Sequence, residues 1–422
     1  MRRIIFVVLT WSLALLVPSL TTSPVKAADA PKCGLNNGKA ATGEPIQLGA
    51  VVGKTGPADF SSPAQAADAC FKCVNKNGGI NGRPIVYSIE DDAWKPEQAA
   101  QVAAKLVKDK KVVAMVGNSS FVECAVNEHL YETEGVLVVA GVGVPRDCFH
   151  VKNIAPTNEG PRLSNLGAVM YMVKTFGVKN IVCISPNIPG VGDFSCDGIK
   201  AWVAGKGIEY HNILIDPATP DATSIVLQAV SLKPDLIEVS LPREGATPIF
   251  AAAEQQDLGD KIHFSAPTSV YNELFPKAIG PYWNGKAFVQ LELEPLDKDA
   301  PDSKNWHSIL DTYGHPSDQR DTFSQAGYVA ARVIVDVMLK MDPSKIDRVS
   351  VSQALKTMKG FRSDIMCGPW YFGEGDEHNA NHAGSVAVIE NNKFVTKASC
   401  FQIDDPDLVN IRKQEAATHV TD

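Results

Sequence analysis

The chain offers little positive charge to a polyanion: 40 basic residues stand against 48 acidic ones in 422. That balance leaves no footprint for nucleic acid or anionic lipid. A run of about 20 apolar residues, the length a membrane span needs, is also missing. The nearest candidate, from 4 to 17, is broken by Thr10 and Ser12 and stopped by Pro18. Gly53-Lys54-Thr55 ends like a phosphate-binding loop, yet the glycine required five residues before Gly53 is Leu48. No Gly-x-Ser-x-Gly elbow occurs, so hydrolysis lacks its usual local signature. His378 and His382 are four apart, a spacing that suits zinc on a helix, but the Gly-, Asp- and Asn-rich surroundings read as a polar loop. Cys70-x-x-Cys73 falls inside a helical pattern, away from the N-terminus that would stabilise a thiolate. These gaps direct attention away from enzymes, cofactors and metals and toward small solutes and proteins as partners.

What is present begins with an export signal: Arg2 and Arg3, the apolar stretch, then Val25-Lys26-Ala27. Cleavage is expected after Ala27, with Ala28 as the alternative. The apolar region starts directly after the arginines, which favours ordinary export over a twin-arginine route. Ala30-Pro31-Lys32 before Cys33 does not fit a lipidated cysteine. Loss of residues 1 to 27 leaves 395, with 37 basic against 48 acidic residues, a net charge of -11. That length suggests two lobes, and 45% apolar with 21% charged residues is ordinary for a globular protein. All nine cysteines lie beyond the signal, in an oxidising compartment where disulfides are the default and an odd count leaves a thiol unpaired. Connectivity is not legible; Cys124 with Cys148 and Cys183 with Cys196 are suggested by loop length alone.

Residues 45 to 145 repeat one theme, a β-branched run followed by a helical pattern. Strands are predicted at 46 to 52, 84 to 91, 112 to 116 and 136 to 139, continuous and apolar as in a parallel sheet covered on both faces. Ser61 or Ser62 caps a helix with Pro63 in its first turn, and Asn77-Gly78-Gly79-Ile80-Asn81-Gly82 supplies its turn chemistry. Ala99, Val102, Ala103, Leu106 and Val107 form one apolar helical face. The theme restarts after Pro156, with strands near 180 to 185, 210 to 215, 235 to 241 and 263 to 265 alternating with helices. A helix follows at 323 to 340, another starts near 350, and short runs around Asn391-Asn392 suggest a closing hairpin.

The ordered pieces resemble the type I periplasmic binding proteins of ABC importers, in particular the leucine/isoleucine/valine-binding family. They are Ile46-Gln47-Leu48-Gly49-Ala50-Val51-Val52 with Thr55-Gly56-Pro57, Asn77 to Ile85 leading to Glu90-Asp91-Asp92, Val116-Gly117-Asn118-Ser119-Ser120, and Ala326-Gly327-Tyr328-Val329-Ala330-Ala331. Their order and spacing, over residues 45 to 403, carry the likeness. The resemblance implies an α/β fold of two flavodoxin-like lobes, with open, mostly parallel sheets joined by three hinge crossovers, near 153 to 157, 286 to 290 and 370 to 373. Lobe one would comprise 44 to 155 plus 288 to 370, lobe two 156 to 287 plus 371 to 403, with a polar, solvated tail at 404 to 422. A periplasmic monomer that delivers its ligand to permease subunits in the inner membrane is the implied role. A sensor subunit signalling to a membrane partner, or a hydrolase on a similar fold, are the alternatives.

Carried over residue by residue, the family's pocket takes Pro57, Ala58, Asp59 and Phe60 from the loop after the first strand. Asn118, Ser119, Ser120 and Phe121 come from the loop after the third, and Gly141, Val142 and Gly143 from the loop after the fourth. Their hydroxyls and amides would take a ligand carboxylate, although each also suits a turn or helix cap. From lobe two come Val191 within 189 to 193, Arg243 and Glu244 within 241 to 244, and Thr268 within 267 to 269. Here the chain departs from the amino-acid-binding pattern: Thr268 stands where a carboxylate would pair with the ligand's ammonium, and Val191 where an aromatic ring is common. A desolvated ammonium without a counter-charge costs several kcal/mol. An aromatic or aliphatic carboxylate is therefore an option beside an amino acid; Asp59 or Glu244 could replace the missing anion, and Arg243 or Arg146 could pair with a second acidic group.

Overall fold

A computed structural model describes residues 30–217, 221–418 and 420. The expected export signal lies outside the described residues. The β-branched runs build a first sheet of β1 (Ile46–Val52), β2 (Ile85–Asp91), β3 (Ala114–Val116), β4 (Val138–Ala140) and β5 (Ile154–Pro156), all parallel, in the order β2-β1-β3-β4-β5. Helix α1 (Ser62–Lys76) covers one face, where Ala66, Ala67, Phe71 and Val74 meet Leu48, Val116 and Val139. On the other, α2 (Pro96–Ala104) and α3 (Glu123–Glu134) bring Ala103 and Tyr131 against Val51, Met115 and Val138. Burial from both sides is why these strands carry apolar residues at successive positions.

The chain then enters α4 (Gly160–Phe176), β6 (Asn180–Pro186), α5 (Gly192–Val203), β7 (Glu209–Ile215), α6 (Ala222–Ser231), β8 (Leu236–Val239), α7 (Arg243–Gln255), β9 (His263–Ala266), α8 (Phe275–Ile279) and β10 (Ala287–Leu291). Helices α9 (Pro301–Tyr313), α10 (Thr322–Leu339) and α11 (Arg348–Lys356) return to the first layer, and β11 (Ala383–Glu390), β12 (Lys393–Gln402) and α12 (Val409–Thr418) complete the second. The second sheet runs β12-β11-β10-β9-β8-β6-β7, parallel except where β11 joins β10 and β12. The predicted hairpin turns at Asn391 and Asn392, both left-handed with φ of 52° and 61°, as a two-residue turn between twisted strands requires. Helix α10 lies against α1 so closely that a Cβ on Gly327 would fall 2.0 Å from the Pro63 carbonyl oxygen.

Three expectations are corrected. Strand β10 pairs with β9 and β11, so the second crossover follows Leu291 and residues 288 to 291 belong with the second sheet. Ser61 does not cap α1 through its side chain; its N–H and hydroxyl both donate to Asp59 Oδ1, at 2.9 and 2.6 Å. The segment after 403 is folded: Leu408 and Ile411 pack on Leu163 and Leu166 of α4, and Asp405 is buried. The suggested disulfides Cys124–Cys148 and Cys183–Cys196 are present, together with Cys33–Cys73 and Cys367–Cys400, leaving Cys70 free and buried.

The first two crossovers meet at one side chain in the segment that leads into β11. Asn381 Nδ2 donates to the carbonyls of Thr157, in the first crossover, at 3.2 Å and of Glu292, in the second, at 2.9 Å. A single amide satisfied at both acceptors registers the crossover strands against one another.

Candidate functional site

A cleft of about 470 Å³, including its open mouth, lies between the two sheets at the carboxyl ends of their strands, where open α/β sheets bind ligands. The first layer supplies Phe60 after β1, Phe121 after β3, Val142, Gly143 and Val144 after β4, and Phe323 in the first turn of α10. Phe60 is edge-on to Phe121 at 4.9 Å and lies 5.5 Å from Phe323. Val191 reaches this cluster from the second layer and Trp94 backs it.

The second layer supplies Ser164 on α4, Pro186 at the end of β6, Val191 and Ser195 around the start of α5, Ser240, Leu241 and Pro242 after β8, and Pro267, Thr268 and Ser269 after β9. The first crossover and the opening of α4 add Asn158, Gly160 and Pro161. Four of these residues are prolines, which have no backbone N–H, so much of this wall's backbone is barren of donors and its side-chain hydroxyls carry the polarity. The α4 N-terminus is occupied from within, since Glu292 Oε2 accepts the Glu159 N–H at 3.2 Å. Burial pushes the Glu292 carboxyl up to about 8, against the lowering effect of these hydrogen bonds.

Among the described residues no Asp, Glu, Lys or Arg side chain lines the cleft. Asp59, offered by the sequence as a replacement anion, is exposed and committed to Ser61. Glu244, the other candidate, pairs with Arg243 on the first turn of α7, outside the lining. Arg146 is likewise outside it.

Of the sequence-derived residues, Phe60, Phe121, Val142, Gly143, Val191 and Thr268 line the cleft. Pro57, Ala58, Asn118, Ser119, Ser120 and Gly141 lie in the right loops but do not. Ala58 belongs to the apolar cluster behind Phe60, and Pro57 is exposed. Asn118 Nδ2 donates to Glu123 at 3.0 Å, and the Asn118 backbone carbonyl accepts the N–H groups of Gly141 and Val142. Ser119 is buried and its N–H donates to Val51 O. Ser120 is an internal cap, accepting the N–H groups of Val122 and Glu123 at 3.0 and 3.1 Å while donating to Asp92. Gly141 faces Pro63, where a Cβ would sit 2.5 Å from the proline Cβ. Asn158, Ser164, Ser195, Ser240 and Phe323 were not legible. Gly160-Pro161 is a recognisable helix start, but only the crossover geometry turns that start toward the cleft.

Residues 45–393 match the model of the periplasmic binding protein family. A Leu/Ile/Val-binding protein of Rhizobium johnstonii is 27% identical over 229 residues, 53% of this chain and 58% of that relative. The match thus spans little more than half of the relative's length. A fatty acid ABC transporter substrate-binding protein from Thermomonospora curvata has a TM-score of 0.74 at 19% identity, over 88% of this chain and 95% of its own. An ABC transporter solute-binding protein from R. palustris, solved in complex with 4-hydroxybenzoate, has a TM-score of 0.73 at 19% identity, over 87% of this chain and all of its own. At such identity these two structures establish the fold alone. Two mostly parallel sheets, three crossovers, a cleft at the strand ends and a family match over most of the sequence lead to one conclusion: this chain belongs to the periplasmic binding protein family, as a type I member of its leucine/isoleucine/valine-binding branch.

Proposed function

We propose that this protein is the periplasmic substrate-binding subunit of an ABC importer and that its cargo is a small organic acid with an apolar body and no ammonium group. The observation that carries this reading is the uncharged lining of the cleft. An amino-acid ligand would bury its ammonium with no counter-charge, at a cost of several kcal/mol. An acid lacking that group avoids this cost; its carboxylate needs donors of its own, which the hydroxyls of the second layer can supply, and its apolar portion fits against Phe60, Phe121 and Phe323. Contacts from both layers favour the closed arrangement, which is the state presented to the permease subunits. The protein acts as a monomer and performs no turnover. Among the described residues no helix is long and apolar enough to cross a membrane.

Mass spectrometry of solute extracted from the protein, purified without denaturation, tests the reading. An aromatic or aliphatic carboxylate is expected. Recovery of a stoichiometric amino acid would contradict it.

A further inference from the structure

The hydroxyls that line the cleft differ in what their protons do. Ser195 Oγ donates to the Val191 carbonyl at 2.6 Å and Ser269 Oγ to the Leu241 carbonyl at 2.9 Å. Ser164 Oγ instead accepts the Thr268 N–H at 2.8 Å, and Ser240 Oγ accepts from Asn165 Nδ2 at 2.9 Å. Neither proton has an acceptor among the described residues. Thr268 Oγ1 has no partner of either kind. These three side chains are only 0 to 5% exposed, and a buried hydroxyl without an acceptor costs free energy that a ligand atom can recover.

All three stand on the second layer. The first layer's share of the lining is Phe60, Phe121, Val142, Gly143, Val144 and Phe323, which has no polar side chain, and the Gly143 N–H is already given to Asn158 Oδ1 at 2.9 Å. The serines of the first layer that the resemblance assigns to a carboxylate do not reach the lining. Resting on the function proposed above, we infer that the ligand lies reversed with respect to that assignment. Its acid head accepts the hydroxyl protons of Ser164, Ser240 and Thr268, and its apolar body is held by the rings of the first layer. A carboxylate has lone pairs enough to accept all three, whereas an ammonium can accept none.

Calorimetry with benzoate, 3-phenylpropanoate and 4-methylpentanoate tests the orientation, each variant being measured with the probe that binds the unaltered protein best. Because Thr268 Oγ1 has no partner, Thr268→Val keeps the shape and removes an unsatisfied group. Its melting temperature should be unchanged or raised while affinity falls roughly 10- to 100-fold, the range for a lost hydrogen bond to a charged group. Ser240→Ala should weaken binding in the same sense. Ser119→Ala and Ser120→Ala should leave affinity within about twofold, with Ser120→Ala lowering stability through its lost cap. Full affinity in Thr268→Val and Ser240→Ala, with a tenfold loss in Ser119→Ala, would overturn the orientation while leaving an acid-binding protein. Failure of every probe to bind the unaltered protein would overturn the proposed function and the orientation with it.

Discussion

Trp94 stacks on Phe121 with ring centroids 4.0 Å apart and planes inclined by 16°, on a backbone that is left-handed at both Ala93 and Trp94, with φ of 51° and 59°. Such conformations are costly for non-glycine residues. Hydrogen bonds hold this one in place: Ala93 N–H donates to Asp91 Oδ1 and Trp94 N–H to Asp92 Oδ1, each at 2.9 Å. The ring that touches Trp94 on one side thus lines the ligand cleft on the other. Ligand binding should shift the tryptophan emission, and Trp94→Phe should abolish most of that shift while the protein stays folded. Trp283, Trp306 and Trp370 are fully buried elsewhere, so an undiminished signal in Trp94→Phe would disprove the coupling.

The C-terminal segment is pinned by a bidentate ion pair. Arg162 Nε and Nη2 donate to Asp405 Oδ2 and Oδ1 at 2.6 and 2.9 Å, and the Asp405 side chain is wholly buried. Asp405→Ala removes the bidentate partner of a guanidinium that is itself largely buried and leaves it only the more exposed Asp407 at 3.7 Å, which should cost about 3 kcal/mol in denaturant unfolding. Asp405→Asn, which keeps an acceptor, should cost less. A change below about 0.5 kcal/mol for the alanine variant would mean that the tail is not held as described.

These two features mark the limit of what local pattern conveys. The alternation of buried strand and helix was legible because each strand is sandwiched and each helix exposes one polar face. The loops after β1, β3 and β4 followed from that alternation. Ser119 and Ser120 misled because a loop serine before a helix suits a cap and a ligand equally, and only three-dimensional geometry spends Ser120 on Asp92 and α3. The tail reads as polar, yet its anchor Arg162 lies 243 residues away from Asp405. Ser164 and Ser240 were missed for a related reason: their role depends on how the two layers face each other. Strand β10 could not be assigned from Ala-Phe-Val-Gln-Leu, since an apolar run of that length fits either sheet.

Stability should fall as pH rises through the neutral range, and Glu238 offers a clean test. It sits wholly buried in β8, hydrogen-bonded to Ser265, and burial pushes its carboxyl up to about 8 from an ordinary value of 4.5. Below pH 4.5 the group is neutral folded or unfolded. Between 4.5 and 8 the folded state keeps a proton that the unfolded state has lost, so stability declines over that window. Glu238→Gln should raise the melting temperature by several degrees at pH 8 and hardly change it at pH 4.5. An equal effect at both values would assign the gain to packing.

Thiol counting checks the cysteine framework. Cys70 is buried and its thiol is pushed up to about 12, chiefly by burial, so it should resist alkylation in the native protein. Denaturation without reductant should expose one thiol, and peptide mapping should place it at 70. Two or more modified cysteines in the unreduced chain would break the pairing of four disulfides.

The central claim is that the cleft rejects an ammonium and accepts the acid that lacks one. Its most direct test is calorimetric titration with matched pairs that differ only in the amino group, leucine against 4-methylpentanoate and phenylalanine against 3-phenylpropanoate. A missing counter-charge worth even 3 kcal/mol separates the members of a pair by about 100-fold. The deaminated acid binding more tightly in at least one pair is the predicted result; tighter binding of leucine or phenylalanine would contradict the account.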